Sequence, residues 1–246
     1  MLKRQVVSAL VLVLLFCSRS NALDLRPNWQ NLNVSLFGMV GGSTLFDSRY
    51  FKSSDEVYHS SYTTGNKIVF GTGVPVNKIF TIETSYMVGP NTLLVTNTSH
   101  NPHTFIEYPV RTHSLSVGGT ARSPVAILGF RPYALAAWDY TRYAPTLAAN
   151  VIANNLSGSP NGGFGAVSSA QLNEDKKVGL SIGVGLEHKL AGRLNLRIEA
   201  RDHVTTSPNF GLPATGSTTA IFPVGGYANN IVYTVGFIYR IGKKLK

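Results

Sequence analysis

Four acidic and four basic side chains recur inside stretches otherwise made of apolar and small residues: Glu83, Asp139, Glu187 and Glu199 against Arg131, Arg197, Arg201 and Arg240. In such surroundings carboxylates and guanidinium groups can neutralise one another in a buried network, or line a narrow path that ions follow. Other chemistry is sparse. His113 and Ser114 adjoin, but neighbours on an extended strand point to opposite faces, so the imidazole cannot serve the hydroxyl. Arg201-Asp202-His203 and Ser207 bring hydrolase side-chain types together in a stretch rich in Thr, Ser and Pro, where such neighbours arise by chance. His100-Asn101-Pro102-His103 offers two metal ligands without the cysteine or carboxylate that would complete a set, and His59, His188 and His203 stand apart from it. Gly71-Thr72-Gly73 precedes no helix start and is no phosphate cradle. The Asn-x-Ser/Thr triplets at Asn33, Asn97 and Asn155 matter only in a glycosylating pathway. No catalytic residue, metal site or cofactor is expected.

The chain has 246 residues, of which 43% are apolar and 14% charged, against about 25% charged in an average soluble domain. A mean hydropathy of +0.06 excludes a bundle of membrane helices, and 10% aromatic residues argue against disorder. Residues 1–22 read as a secretory signal: Lys3 and Arg4 precede the apolar run from Val6 to Phe16, and Ser20-Asn21-Ala22 ends it with small residues. A lipidated Cys17 is the alternative, disfavoured by the bulk of Phe16 before it. Cleavage after Ala22 removes Cys17, the single cysteine, together with Lys3, Arg4 and Arg19. The mature part, residues 23–246, therefore holds its fold without a disulfide in an oxidising compartment. The formal charge of +10 is no nucleic-acid signature, because the cations are scattered and the Lys243-Lys244-Leu245-Lys246 cluster reads as a solvated tail.

The elements that must position the eight charges are strands. Period-two alternation recurs at about residues 31–41, 65–74, 79–88, 110–121, 126–140, 178–187, 194–201 and 231–241, with helical periodicity nearly absent. Val178, Leu180, Ile182, Val184 and Leu186 alternate with Gly179, Ser181, Gly183, Gly185 and Glu187, the cleanest instance. Connections alternate long and short, the short ones being Pro75-Val76-Asn77-Lys78, Arg122-Ser123-Pro124-Val125 and Leu190-Ala191-Gly192-Arg193. A soluble sandwich gives no reason for that alternation, whereas a transmembrane barrel has short turns on the periplasmic side and long loops outside. Its faces are inverted: lipid meets Leu, Ile, Val and aromatics, and the inside holds Gly, Ser, Thr and charges. Domain organisation is thus a signal followed by one all-β domain, an eight-stranded antiparallel barrel preceded by a short lead containing Trp29.

Arg131-Pro132-Tyr133-Ala134-Leu135-Ala136, Glu83, Gly183-Val184-Gly185-Leu186-Glu187, Leu196-Arg197-Ile198-Glu199-Ala200-Arg201 and Val235-Gly236-Phe237-Ile238-Tyr239-Arg240 together resemble the small eight-stranded outer-membrane β-barrels, such as the transmembrane domain of outer-membrane protein A. The resemblance implies a place in the Gram-negative outer membrane, contact with its lipid and lipopolysaccharide, and insertion by the assembly machinery. That family commonly ends on an aromatic residue, whereas here the chain runs on from Tyr239 to Lys246. Either Phe237 and Tyr239 act as an internal signal, or insertion works differently.

Eight strands enclose a space that side chains just fill. Glu83, Arg131, Glu187, Arg197, Glu199, Arg201 and Arg240 are expected to plug it, with Glu187 shared between Arg197 and Arg240, and Arg131 meeting Glu83 or Glu199. Trp138, Tyr140 and Tyr86 are expected in the interfacial aromatic girdle. Tyr50, Phe51, Tyr58 and Tyr62 in the first outer loop, and Phe210, Ile221 and Phe222 in the fourth, are expected at the rim or against a partner. The expected role is structural or surface-interacting, in a monomer that binds no nucleic acid. A small passive pore is the alternative, and a lipid-modifying enzyme stands behind it.

Overall fold

A computed structural model describes residues 34–46, 49–53, 56–98, 104–146, 173–210 and 227–241. The signal, Trp29, His100, His103, Asn155, Ile221, Phe222 and the terminal lysines lie outside the described residues. Among the described residues there are ten strands: β1 (Val34–Phe46), β2 (Arg49–Ser53), β3 (Glu56–Tyr62), β4 (Gly65–Pro75), β5 (Phe80–Asn97), β6 (Thr104–Arg122), β7 (Phe130–Pro145), β8 (Asp175–Ala191), β9 (Leu194–Thr206) and β10 (Tyr227–Ile241). β1 and β4 to β10 form a closed antiparallel circuit of eight, since β5 pairs with β6 and β1 pairs with both β4 and β10. β2 and β3 form a hairpin that extends the wall above β4, with Tyr58–Tyr62 paired to the outer part of β5.

The register fixes the barrel's shape. From Glu83 the directly paired residues run through Gly118, Ala137, Ser181, His203 and Asn230 to Leu45. In the other direction they run from Glu83 through Gly73 to Ser35, and Ser35 and Leu45 are ten residues apart on β1. That stagger tilts the strands by roughly 40° and sets an interior that side chains fill.

Alternation sorts the residues as a membrane requires. Leu36, Val40, Ile68, Phe70, Ile82, Leu180 and Val235 point outward and are exposed, and Trp138 is 69% exposed. Ser43, Thr81, Ser85, Ser114, Ser116, Thr120, Ser181 and Thr234 point inward and are buried. Glycines face the lumen where a bulky ring needs room: a Cβ on Gly185 would lie 2.3 Å from the Tyr133 ring, and one on Gly71 would lie 2.5 Å from the tip of Phe37. The inner turns are tight for local reasons. Asn77 Oδ1 accepts the backbone N–H groups of Ile79 at 2.8 Å and Phe80 at 2.7 Å, an Asx turn. Gly192 takes a φ of +51° in the β8–β9 turn.

Strand ends depart from the sequence expectation, nearly all on the outer side. β5 and β6 have 18 and 19 residues, beyond the 9–11 or so that cross a bilayer. The hydrophobic alternation stops near Val88 because residues above the membrane no longer need an apolar outer face, while backbone pairing continues to Asn97. Tyr50, Phe51, Tyr58 and Tyr62 accordingly fall in strands of the rim hairpin rather than in a loop. Phe210 is fully buried, not free for a partner. At the inner side the fifth barrel strand begins at Phe130, not Ala126, since Leu128 and Gly129 take φ values of +51° and +81° in the preceding turn.

Candidate functional site

β5 to β9 carry the charged wall of the lumen, and β9 alone contributes Asn195, Arg197, Glu199, Arg201 and His203 at every second position. Strict alternation forces these five side chains onto one face, stacked along the barrel axis. Arg197 is the centre, with 0% exposure. Its guanidinium donates to Glu83 Oε1 at 3.1 Å and Oε2 at 2.9 Å, to Glu199 Oε2 at 2.5 Å and to the Tyr133 hydroxyl at 2.7 Å. The charge also lies over two rings, 4.9 Å from the centroid of Phe37 and 4.6 Å from that of Tyr133. One cation thus faces two carboxylates and two π faces, the arrangement that offsets the desolvation of a buried guanidinium.

Neighbouring groups complete the network. Arg201 Nε donates to Glu199 Oε1 at 2.9 Å, and its other nitrogens reach Glu199 again and Ser85. The Tyr133 hydroxyl donates to Glu199 Oε2 at 2.8 Å. At the inner mouth Arg122 bridges Glu187 at 2.9 Å and Glu83 at 3.1 Å while also bonding Thr81 Oγ1. Arg240, with a side chain 43% exposed, reaches Glu187 Oε2 at 2.6 Å. Higher in the lumen His203 Nδ1 lies 2.8 Å from Asp139 Oδ2, and Ser181 donates to Asp139 Oδ1 at 3.1 Å. Above that, the buried Lys67 ammonium donates to Asn91 Oδ1 at 2.5 Å and to the carbonyls of Gly89 and Pro90.

The opposite wall, formed by β1, β4 and β10 with part of β5, carries an apolar patch between polar ends: Phe37, Met39, Val69, Met87, Val232 and Ile238 pack as one buried cluster. On the charged side a cavity of about 10 Å³ remains beside Glu83, Ser85, Ser116, Thr120 and Arg201, room for about one water.

Several expected pairings differ. Glu187 is shared by Arg122 and Arg240, not by Arg197 and Arg240, because the Arg197 side chain turns toward Glu83 and Glu199. Arg131, half-buried at the inner mouth, has no ion-pair partner among the described residues and meets neither Glu83 nor Glu199. Arg122 and Lys67 were outside the expected network. Both carry the parity that would have found them: Arg122 continues the inward series Ser114, Ser116, Gly118 and Thr120, and Lys67 that of Val69, Gly71 and Gly73. His113 points outward, where its Nδ1 lies 2.5 Å from the Tyr86 hydroxyl, and Ser114 points inward to Thr141.

A closed barrel with an apolar outside, a polar and charged inside and short turns at one end is an integral protein of a bacterial outer membrane. The sequence matches the model of the outer membrane protein beta-barrel domain over residues 8–240, and the chain belongs to that family. The outer membrane protein OprG from Pseudomonas aeruginosa shares its fold with a TM-score of 0.53 at 10% identity, covering 86% of this chain and 97% of that one. Neisserial surface protein A aligns at 10% identity with a TM-score of 0.48, covering 84% of this chain and 96% of that one. The outer membrane protease OmpT from Escherichia coli aligns at 8% identity with a TM-score of 0.41, over 90% of this chain and 99% of that one. No curated protein matches the sequence.

Proposed function

We propose that this outer-membrane barrel is a closed anchor whose strands carry a surface-interacting rim, rather than a pore or an enzyme. The observation that carries the reading is the fully buried Arg197, fixed by two carboxylates, a hydroxyl and two rings across the width of the lumen. An ion path along this axis would have to break several charge-assisted bonds and then pass the apolar wall of β1, β4 and β10. The extensions of β5 and β6, with the β2–β3 hairpin, supply surface outside the membrane. Partners in this reading are outer-leaflet lipid and lipopolysaccharide, with insertion by the assembly machinery as a monomer. An enzyme is disfavoured because Ser181 bonds Asp139 and not His203, and the three sit inside the lumen. Purified protein reconstituted in planar bilayers should give no steady conductance. A stable open channel at low voltage would overturn the closed anchor in favour of the passive pore.

A further inference from the structure

The outward face changes character above the apolar belt on β6, β7 and β8. On β6, β7 and β8 the row Leu115, Tyr140 and Val178 is apolar and exposed. The next outward row is His113, Arg142 and Lys176, in direct register across the three strands. Arg111 stands one outward position further along β6. Among the described residues, the outer parts of β9, β10, β1 and β4 present Asp202, Asn229, Thr44 and Asn66 outward, and no cation.

Two of the cations share one partner. Glu174 bonds Arg142 and also lies 3.4 Å from Lys176, so one carboxylate spaces two of them. Tyr86 fixes the His113 ring at 2.5 Å, and both Arg111 and Arg142 act electrostatically on that ring. Glu107, two outward positions beyond Arg111 on β6, is the other acid on this face. Three permanent cations against Glu174 and Glu107 leave one net positive charge at the height where acyl chains give way to headgroups.

We propose that Arg111, Arg142 and Lys176 form a binding site for the phosphate groups of a phosphorylated outer-leaflet glycolipid, its acyl chains lying on Tyr140, Leu115 and Val178. Guanidinium groups match phosphate oxygens in pairs, and an ammonium adds a point charge. Charge complementarity and the adjoining apolar row favour a lipid phosphate over a free one, which would have no use for the row beneath. The inference deepens the lipid partner proposed above and is independent of whether the lumen conducts.

The full-length protein, refolded in detergent micelles, is titrated with diphosphoryl lipid A and with the same lipid after removal of both phosphates, with bound lipid counted by native mass spectrometry. The wild type should prefer the phosphorylated lipid at least tenfold. R111A/R142A/K176A should lose that preference, at about fivefold per cation. K78A/K189A/R193A, an equal charge loss at the inner turns, should keep it. E174Q, which frees two cations, should tighten binding severalfold. Equal binding of both lipids by the wild type, or a folded triple variant with its preference intact, would overturn the site. Folding is read from heat-modifiable gel mobility; should the triple variant not fold, unchanged affinity in E174Q overturns the site by itself. A wild type without the mobility shift would instead count against the membrane barrel.

Discussion

Glu199 accepts hydrogen bonds from Arg197, Arg201 and Tyr133, so its removal leaves Arg201 without a carboxylate in a narrow interior and Arg197 with Glu83 alone. Glu199→Gln should cost about 3–5 kcal/mol in urea unfolding from lipid vesicles, the expected penalty for an uncompensated buried charge. Glu174→Gln, at an exposed rim position, should leave the urea midpoint unchanged in the same assay. Equal, small losses at both would mean that the lumen charges are individually solvated. Sequence parity identified most of the charges that share the interior, Arg122 and Lys67 excepted, but not which of them meet. Arg197 could reach Glu83, Glu187 or Glu199 along a lumen this narrow. The choice is made by the rings of Phe37 and Tyr133, whose positions depend on Gly71 and Gly185 on the strands paired with theirs.

At the scale of one strand, Gly185 and Tyr133 are coupled across the β7–β8 pair. Gly185→Ala should destabilise the barrel by about 1–3 kcal/mol through overpacking, and adding Tyr133→Phe should recover only part of it, since the Ile198 carbonyl is also within 2.5 Å. A single variant as stable as wild type would show that the ring has room to move. On the lipid face, Ile182→Arg or Leu196→Arg should cost about 2–4 kcal/mol or block insertion, read by heat-modifiable mobility. Wild-type folding with both would be incompatible with a bilayer at that height. The eight barrel strands and their facing were legible because lipid imposes a period of two on β8 and β10 as strictly as any core would. The outer strand ends were not, because above the bilayer both faces of β5 and β6 are polar or mixed while backbone hydrogen bonds carry the ladder. The β2–β3 hairpin, with its aromatics Tyr50, Phe51, Tyr58 and Tyr62 out of strict alternation, reads from sequence as loop.

For the whole molecule the lumen is two-sided: a charged wall on β5 to β9 and an apolar wall centred on β1 and β4. A charge introduced on the apolar side, Val69→Glu, should therefore unfold the barrel rather than open a channel, checked by gel mobility alongside conductance; a folded, conducting variant would show that the walls can separate. The closed circuit also decides how the chain can be made. Val34 pairs with Ile241, so the seam joins the first strand to the last. Contacts of such sequence separation pay their loop-closure entropy before any reward, which makes closure slow. Until β10 arrives, β1 and β9 are both open edges able to pair with any other strand. The chain therefore gains nothing by folding as it emerges, and must travel unfolded until it can be completed in one concerted event at the membrane. A single lesion in the seam, such as proline at Val235 opposite Val40, should then leave no partially inserted species but remove the protein from the membrane altogether.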